Sequence, residues 1–153
     1  MFEAREGENS VEDIIAKYKD DVETLVPYLN WLKEHTQKQV AESYSNSELS
    51  NSMQFPIYDS TLLNFVKIAQ QTGMMDRNYS YVFTRNHLNT WKDELAFIDR
   101  AEIMNMDDLA GILSRYVLEG QVKGTVWAEG VYTGVLFHVV DKMRELLHYW
   151  GAD

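Results

Sequence analysis

The residues best suited to chemistry lie in segment 120–125, GQVKGT, directly before a predicted helix. The first backbone N–H groups of a helix have no partner inside it, and with the helix dipole they favour an anion. A phosphate or carboxylate is therefore a candidate ligand for Lys123. The segment lacks the spacing of a Walker loop, and no strand precedes it. The alternative is a helix that ends at Gly120, a tight turn and a lysine in solvent.

Glu129 is the second group of interest because, at about 100° per residue, it shares a helical arc with Leu136 and Val140. A carboxylate that is turned inward needs a cation or several donors, and the nearest cations in sequence are Lys123 and Arg115. Such an acid would be perturbed and therefore a functional candidate. The alternative is an early-helix glutamate that reaches solvent and complements the helix dipole.

These residues define one candidate ligand-binding site at the turn between the last two predicted helices. Its members are Arg115, Lys123, Gly124, Thr125, Trp127 and Glu129. Arg115 would supply a second cation for a bound anion. The sequence assigns no catalytic residue, because it contains no local signature such as G-x-S-x-G.

A metal site is the next possibility, since residues 145–148 spell Glu-x-x-His, a spacing found in di-iron helical bundles. Those proteins need the motif twice with two further carboxylates, and no second copy occurs. His138 and Asp141 lie nearby, but this face is opposite the apolar stripe of the same helix. The absence of cysteine also excludes thiolate zinc sites and iron–sulfur clusters. We therefore predict no metal and no cofactor.

The charge of the chain limits its partners. Its formal net charge is -10, from 14 basic and 24 acidic residues. Such a surface repels phosphate backbones, so we expect no direct binding of nucleic acid. The charged start, MFEARE, lacks the core of a signal peptide, and no apolar run approaches the roughly 20 residues of a membrane span. We expect a cytoplasmic protein without a membrane role.

The aromatic content suggests a different kind of partner. Four tryptophans and nine tyrosines exceed what a small core strictly requires. Both residue types are favoured anchors of protein interfaces, although the alternative is that most of them lie in the core.

The elements that must position these residues are predicted from helical periodicity and its punctuation. Ser10 is a candidate N-cap, Pro27 a break, and Gly73 and Gly120 are stops. Stretch 79–84 is β-branched and aromatic, but no partner strand is evident, so we interpret it as irregular or helical. Residues 1–9 form a charged leader and 43–56 a surface loop. The predicted helices span about 10–25, 27–42, 59–72, 91–100, 105–119 and 125–149.

The last two predicted helices carry the clearest apolar stripes. Leu109, Ile112 and Tyr116 lie on one face of the first, and Tyr132 to Leu147 supply the second. Their short connection makes them antiparallel neighbours. A chain of 153 residues with 45% hydrophobic residues can bury one core. We predict one mainly α domain over 1–153, a compact bundle of about five to six helices ending in an antiparallel helix pair.

The segment 108–146, DLAGILSRYVLEGQVKGTVWAEGVYTGVLFHVVDKMREL, resembles a family of bacterial and phage-associated proteins known as a domain of unknown function. Weaker similarity covers the segments VPYL, LLNFVKIAQQTGMM and YVFTRNHL. The most specific part of the pattern is formed by Arg115, Tyr116, Val117, Gly120, Lys123, Gly124 and Trp127. The resemblance implies one helical domain, and it implies no activity, cofactor or catalytic residue.

Two functions follow from these observations. The first is a small acidic helical binding protein that acts by protein–protein contact, with a basic protein as the partner that its charge suits. The second is a ligand-binding domain, or an enzyme without a recognisable signature, that uses the anion site at Lys123 and Gly124 with Glu129. The sequence favours the first and a non-enzymatic role. It does not specify the oligomeric state.

Overall fold

The computed structural model of the protein describes residues 2–38, 41–43, 56–123 and 125–151. These residues form eight α-helices, two 3₁₀ turns and one pair of short strands. The α-helices are α1 (Phe2–Leu25), α2 (Leu29–His35), α3 (Ser60–Gln71), α4 (Tyr79–Arg85), α5 (Trp91–Arg100), α6 (Met106–Glu119), α7 (Val126–Thr133) and α8 (Val135–Gly151). The strands are β1 (Ala41–Ser43) and β2 (Pro56–Tyr58), and the 3₁₀ turns are Val26–Tyr28 and Ile103–Asn105. The predicted all-α class is confirmed.

The number of helices is larger than predicted, for two local reasons. Segment 79–85 is the helix α4, so the helical interpretation of this stretch is confirmed over the irregular one. The long helix predicted over 125–149 is wrong, because Gly134 adopts φ +86 and ends α7 before α8 begins. This left-handed conformation cannot continue a helix. Counting α7 and α8 as one bent helix would leave seven helices in the described ranges.

The first two helices also differ from their predicted bounds. Pro27 separates them as predicted, within the 3₁₀ turn that follows Leu25. The cap at Ser10 is wrong, since α1 starts at Phe2 and includes the predicted leader, which is rich in good helix formers. The second helix ends at His35 and not near residue 42. There Thr36 leaves the helical region, and Gln37 adopts φ 67 and donates its backbone N–H to the carbonyl of Tyr132 at 2.8 Å.

The predicted loop 43–56 is only partly described. Its outer residues belong to the strand pair, in which Ala41 faces Tyr58, Glu42 faces Ile57 and Ser43 faces Pro56 in an antiparallel register. Residues 44–55 lie outside the described residues. Each strand has only three residues, which is too short for an alternating pattern of apolar and polar residues to reveal it in the sequence.

Side-chain caps fix the starts of two helices that border the core. Asp59 accepts the backbone N–H of Thr61 at 2.7 Å and caps α3. Thr90 and Asp93 form a capping box at the start of α5, each accepting a backbone N–H of the other. A capping box satisfies two of the donors that a helix start leaves free, so it defines where α5 begins.

The core is built around α6, which contacts α3, α4, α7 and α8. The predicted stripe is confirmed, because Leu109, Ile112, Leu113, Tyr116 and Val117 are all buried. In α8 the buried residues are Val135, Leu136, Val139, Val140, Met143 and Leu147. Tyr132, which was predicted to belong to that stripe, is exposed, because Gly134 separates it from α8. No helix of the described ranges has the length and apolar character needed to cross a membrane.

Replacing Gly134 by alanine should lower the free energy of unfolding by about 1–2 kcal/mol, because a Cβ atom is strained at positive φ. The new Cβ would also lie 3.2 Å from Thr36 Cγ2. Gly73→Ala is the matched control, since its Cβ would meet only Asp21 Oδ2 at 3.5 Å. Urea unfolding of both variants measures the difference. Equal stability of the two variants would contradict the structural role of Gly134.

Candidate functional site

A buried carboxylate and a buried phenol meet where α5 contacts α6. Tyr116 donates its hydroxyl hydrogen to Glu94 Oε1 at 2.6 Å. Glu94 is 3% exposed and Tyr116 is 0% exposed. Charged side chains are almost never buried to this degree without partners. This pair therefore places an ionisable carboxyl group inside an otherwise mainly apolar core.

Burial raises the pKa of Glu94 above its usual value, because the ionised form loses its hydration. The hydrogen bond from Tyr116 and the charge of Arg115 act in the opposite direction without cancelling the effect. The negative charges of Glu129 and Asp93 raise the pKa further. Burial and the neighbouring carboxylate also raise the pKa of Tyr116, so its phenol stays protonated and continues to donate.

Arg115 connects this pair to the surface. Its Nη1 lies 4.0 Å from Glu94 Oε2, and its Nε donates to Glu119 Oε1 at 2.8 Å. Glu119 Oε2 in turn lies 3.3 Å from the Nζ atom of Lys123. The guanidinium also lies over the rings of Tyr116 and Phe83, at 4.7 and 5.8 Å from their centroids. The side chains thus form a line of alternating charge from the core to solvent.

The two surface members of this line stabilise each other's charged forms. Burial lowers the pKa of Arg115, but the hydrogen bond to Glu119 and the nearby negative charges outweigh it, and the net effect raises the pKa. Burial raises the pKa of Glu119, but Arg115 and Lys123 outweigh it and the pKa is lowered. Both groups are therefore ionised and paired near neutral pH.

This pairing places the predicted anion-site residues in a new context. Lys123 is exposed and forms an ion pair with Glu119. Glu129 is exposed, which agrees with the solvent-reaching alternative, and Lys123 does not pair with it. Thr125 precedes α7 without a side-chain capping bond. Gly124 lies outside the described residues.

Trp127 packs where α6 ends. Its indole N–H donates to the carbonyl of Val117 at 3.0 Å, which satisfies one of the carbonyls that a helix end leaves free. A Cβ atom on Gly120 would lie 2.1 Å from the indole ring, so only glycine allows this approach. Tyr116, Val117, Gly120 and Trp127 of the resemblance pattern therefore have packing roles at this helix end.

Glu94 is the residue that the sequence interpretation missed. It is buried together with Phe97, Ile98 and Ala101. These residues follow it at positions i+3, i+4 and i+7, the spacing of one helical face. A charged residue within such a stripe is the pattern that predicts a buried carboxylate.

A cavity of about 330 Å³ opens beside this cluster. Glu94, Arg115 and Glu119 form its charged wall, and α4 supplies much of the opposite side. Lys123, Trp127 and Glu129 do not line it. The predicted candidate site therefore divides: Arg115 belongs to a cavity, whereas its other described members lie outside that cavity.

A second surface feature lies between α1 and α8. It is a groove of about 490 Å³ with an apolar floor, to which Val22, Val26 and Leu147 contribute. Its polar rim consists of Lys19, Glu23, Arg144 and His148. Tyr149 and Trp150 extend from the same end of α8, and they are 74% and 50% exposed.

A larger cavity of about 700 Å³ lies between α1, the α3–α4 connection and α4. Asp107 on its wall accepts hydrogen bonds from Tyr18 and Lys17. The Tyr18 hydrogen bond, followed by the charge of Lys17, outweighs burial and holds the pKa of Asp107 below its usual range. The carboxylate is thus already partnered, and it serves to join α1 to α6.

The Glu-x-x-His face of α8 is occupied by ion pairs in the structure. Asp141 pairs with Arg144 at 2.7 Å, and Glu145 pairs with Lys142 at 3.3 Å. His138 and His148 are exposed. Among the described residues, no three side chains of the metal-binding types are grouped as a metal ion requires.

No protein-family model matches the chain, and no curated protein or solved structure matches it either. The resemblance carried by the segment 108–146 therefore stays a prediction. Function has to be inferred from the geometry of the surfaces and cavities.

The raised pKa of Glu94 makes stability depend on pH in a defined direction. The folded chain holds this proton more tightly than the unfolded chain does. Between the ordinary glutamate pKa of about 4.3 and the raised one, stability is therefore lost as pH rises. Glu94→Gln keeps an acceptor for Tyr116 and is neutral throughout. The unfolding free energy of the wild type relative to this variant should thus decrease from pH 4 to pH 8.

Urea unfolding of both proteins at several pH values measures that difference. A wild type that gains stability relative to Glu94→Gln as pH rises would contradict the assignment, because it would indicate a lowered pKa of Glu94.

Proposed function

We propose that this chain is a binding protein that acts by contact with another protein, through the end of the α1–α8 pair. The observation that carries the proposal is the exposed pair Tyr149 and Trp150, whose ring centroids are 5.5 Å apart in an edge-on arrangement. Two adjacent aromatic rings in solvent lose the hydrophobic stabilisation that a partner would restore.

A groove lined by His148 and Gly151, the residues that flank this pair on α8, has the anatomy of an interface. Its floor is apolar and its rim is polar, as in protein–protein contacts, where an apolar centre is surrounded by polar groups. Tryptophan and tyrosine dominate the binding energy of such contacts because they bury a large area with few rotatable bonds. Both walls are helices whose packing against each other fixes the shape of the groove.

The charge of the chain favours a basic partner. The formal net charge of -10 attracts a positively charged protein and increases the rate of encounter. Exposed acidic residues on α1 contribute to this field: Glu12, Asp13, Asp20 and Glu23. The same charge opposes nucleic acid, so a direct contact with DNA or RNA is not part of the proposal.

The alternative function, a ligand site or active site at the Lys123 turn, stays a prediction. Lys123 and Arg115 both bind Glu119 in the structure, so an anion would have to compete with that carboxylate for both cations. This competition weighs against an anion at the Lys123 turn and therefore favours the protein-binding function.

A photo-crosslinking amino acid at position 149, introduced in the source cells, should capture a discrete partner, which is then identified and purified. Trp150→Ala should weaken the affinity of the two purified proteins by about 30-fold or more, the effect of a hot-spot residue. Isothermal titration calorimetry measures this change.

Tyr149→Ala and Tyr81→Ala form a matched pair for the same measurement. Tyr81 is 67% exposed, but it lies on α4 and lines the 700 Å³ cavity. Affinity should fall for Tyr149→Ala and stay unchanged for Tyr81→Ala, while both variants keep the stability of the wild type. Equal affinities of the two variants would overturn the proposed surface.

A further inference from the structure

The cavity beside Glu94 has a wall composition suited to a small organic ligand. Phe83 and Leu88 supply apolar surface, and Ser80, Thr84 and Asn89 supply hydroxyl and amide groups. Its volume of about 330 Å³ lies near the lower end of ligand pockets, which span roughly 300–1,000 Å³. A ligand of this site is therefore small, with an apolar body and few polar groups.

Glu94 has hydrogen-bonding capacity that the described residues do not fill. An ionised carboxylate offers about four acceptor positions. Tyr116 uses one of them on Oε1, while Arg115 Nη1 lies 4.0 Å from Oε2, beyond hydrogen-bond distance. The side chain is only 5% exposed and lines the cavity, so bulk water does not supply the missing donors freely.

The charges around the cavity determine whether a cationic or an anionic ligand fits it. Its wall contains the carboxylates of Glu94 and Glu119 and one guanidinium, that of Arg115. Arg115 is hydrogen-bonded to Glu119, whereas it lies 4.0 Å from Glu94 Oε2 and makes no hydrogen bond to it. An anion would have to displace Glu119 from Arg115 and approach Glu94 at the same time. A cation meets neither obstacle, and although Arg115 repels it, the two carboxylates of the wall outnumber that one guanidinium.

We propose that this cavity binds a small organic cation, an alkylammonium or an amidinium, whose N–H groups donate to Glu94 while its apolar body packs against Phe83 and Leu88. Charge-assisted hydrogen bonds to a buried carboxylate are strong and directional. The ligand completes the hydrogen bonding of Glu94 and stabilises its ionised form. This site is separate from the α1–α8 groove and does not depend on the proposed protein partner.

Three probes of similar shape test which charge the cavity prefers: the cation benzamidine, the neutral benzamide and the anion benzoate. Isothermal titration calorimetry should detect binding of benzamidine with a Kd of about 1 mM or tighter, and no binding of the neutral or anionic probe. Benzamidine affinity should increase from pH 5 to pH 8, because the cation binds the ionised form of Glu94. The proposal is overturned if benzoate or benzamide binds as well as benzamidine, or if benzamidine does not bind.

Three variants then test the location. Glu94→Gln should weaken benzamidine binding at least tenfold. Thr84→Phe should do the same by filling the cavity from an exposed position. Glu145→Gln is the matched control, because Glu145 is an exposed carboxylate on another cavity, of about 340 Å³. Circular dichroism establishes that each variant is folded. Benzamidine affinity that is unchanged in both Glu94→Gln and Thr84→Phe would overturn the site.

Discussion

The hydrogen bond from the Tyr116 hydroxyl to Glu94 joins α5 to α6 inside the core, and the positions of both helices have to preserve it. Removing a carboxylate from water is costly, and a hydrogen bond to a charged group returns only about 1.5–3 kcal/mol. The burial of Glu94 is therefore tolerated only if α5 and α6 hold its hydrogen-bond donor in place. The capping box of Thr90 and Asp93 fixes the start of α5 one turn away, and the buried length of α6 holds the Tyr116 ring in place.

The C-terminal half of α6 carries the further partners of this buried pair. Arg115 neighbours Tyr116 in sequence and faces Glu94, while Glu119 holds the other side of its guanidinium. Trp127 packs over Gly120, and its indole N–H donates a hydrogen bond to the backbone carbonyl of Val117. Core packing thus determines where the buried carboxyl group of Glu94 lies, and the cavity opens beside that group. The proposed protein-binding surface on α1 and α8 does not include residues of this cluster.

Much of the fold was predictable because its information is local. The stripe of α6, the Asp59 cap and the Pro27 break depend on periodicity and on the properties of single residues. Gly134 was not recognised, because a glycine inside an apolar helical pattern does not reveal whether its φ is positive. The strand pair was equally hidden, since its partners are joined only by tertiary structure.

The candidate site was predicted only in part, for a related reason. Arg115 was singled out from the sequence, but its partner Glu119 was overlooked, although Arg115 and Lys123 each lie four residues from it in sequence. That spacing is a local pattern of helices and was readable. Glu94 lies 21 residues before Arg115 and comes near it only in the folded chain. Its burial was suggested by the stripe, whereas its partners required the structure.

The central claim is that Glu94 is a buried carboxyl group whose ionised form is held by Tyr116. A ¹³C NMR titration of the Glu94 carboxyl carbon in the wild type and in Tyr116→Phe tests it most directly. We expect a pKa of Glu94 above the ordinary glutamate value in the wild type and a still higher pKa in Tyr116→Phe, because that variant lacks the donor that favours the ionised form. A pKa at or below the ordinary value, or one that is unchanged by Tyr116→Phe, would contradict it.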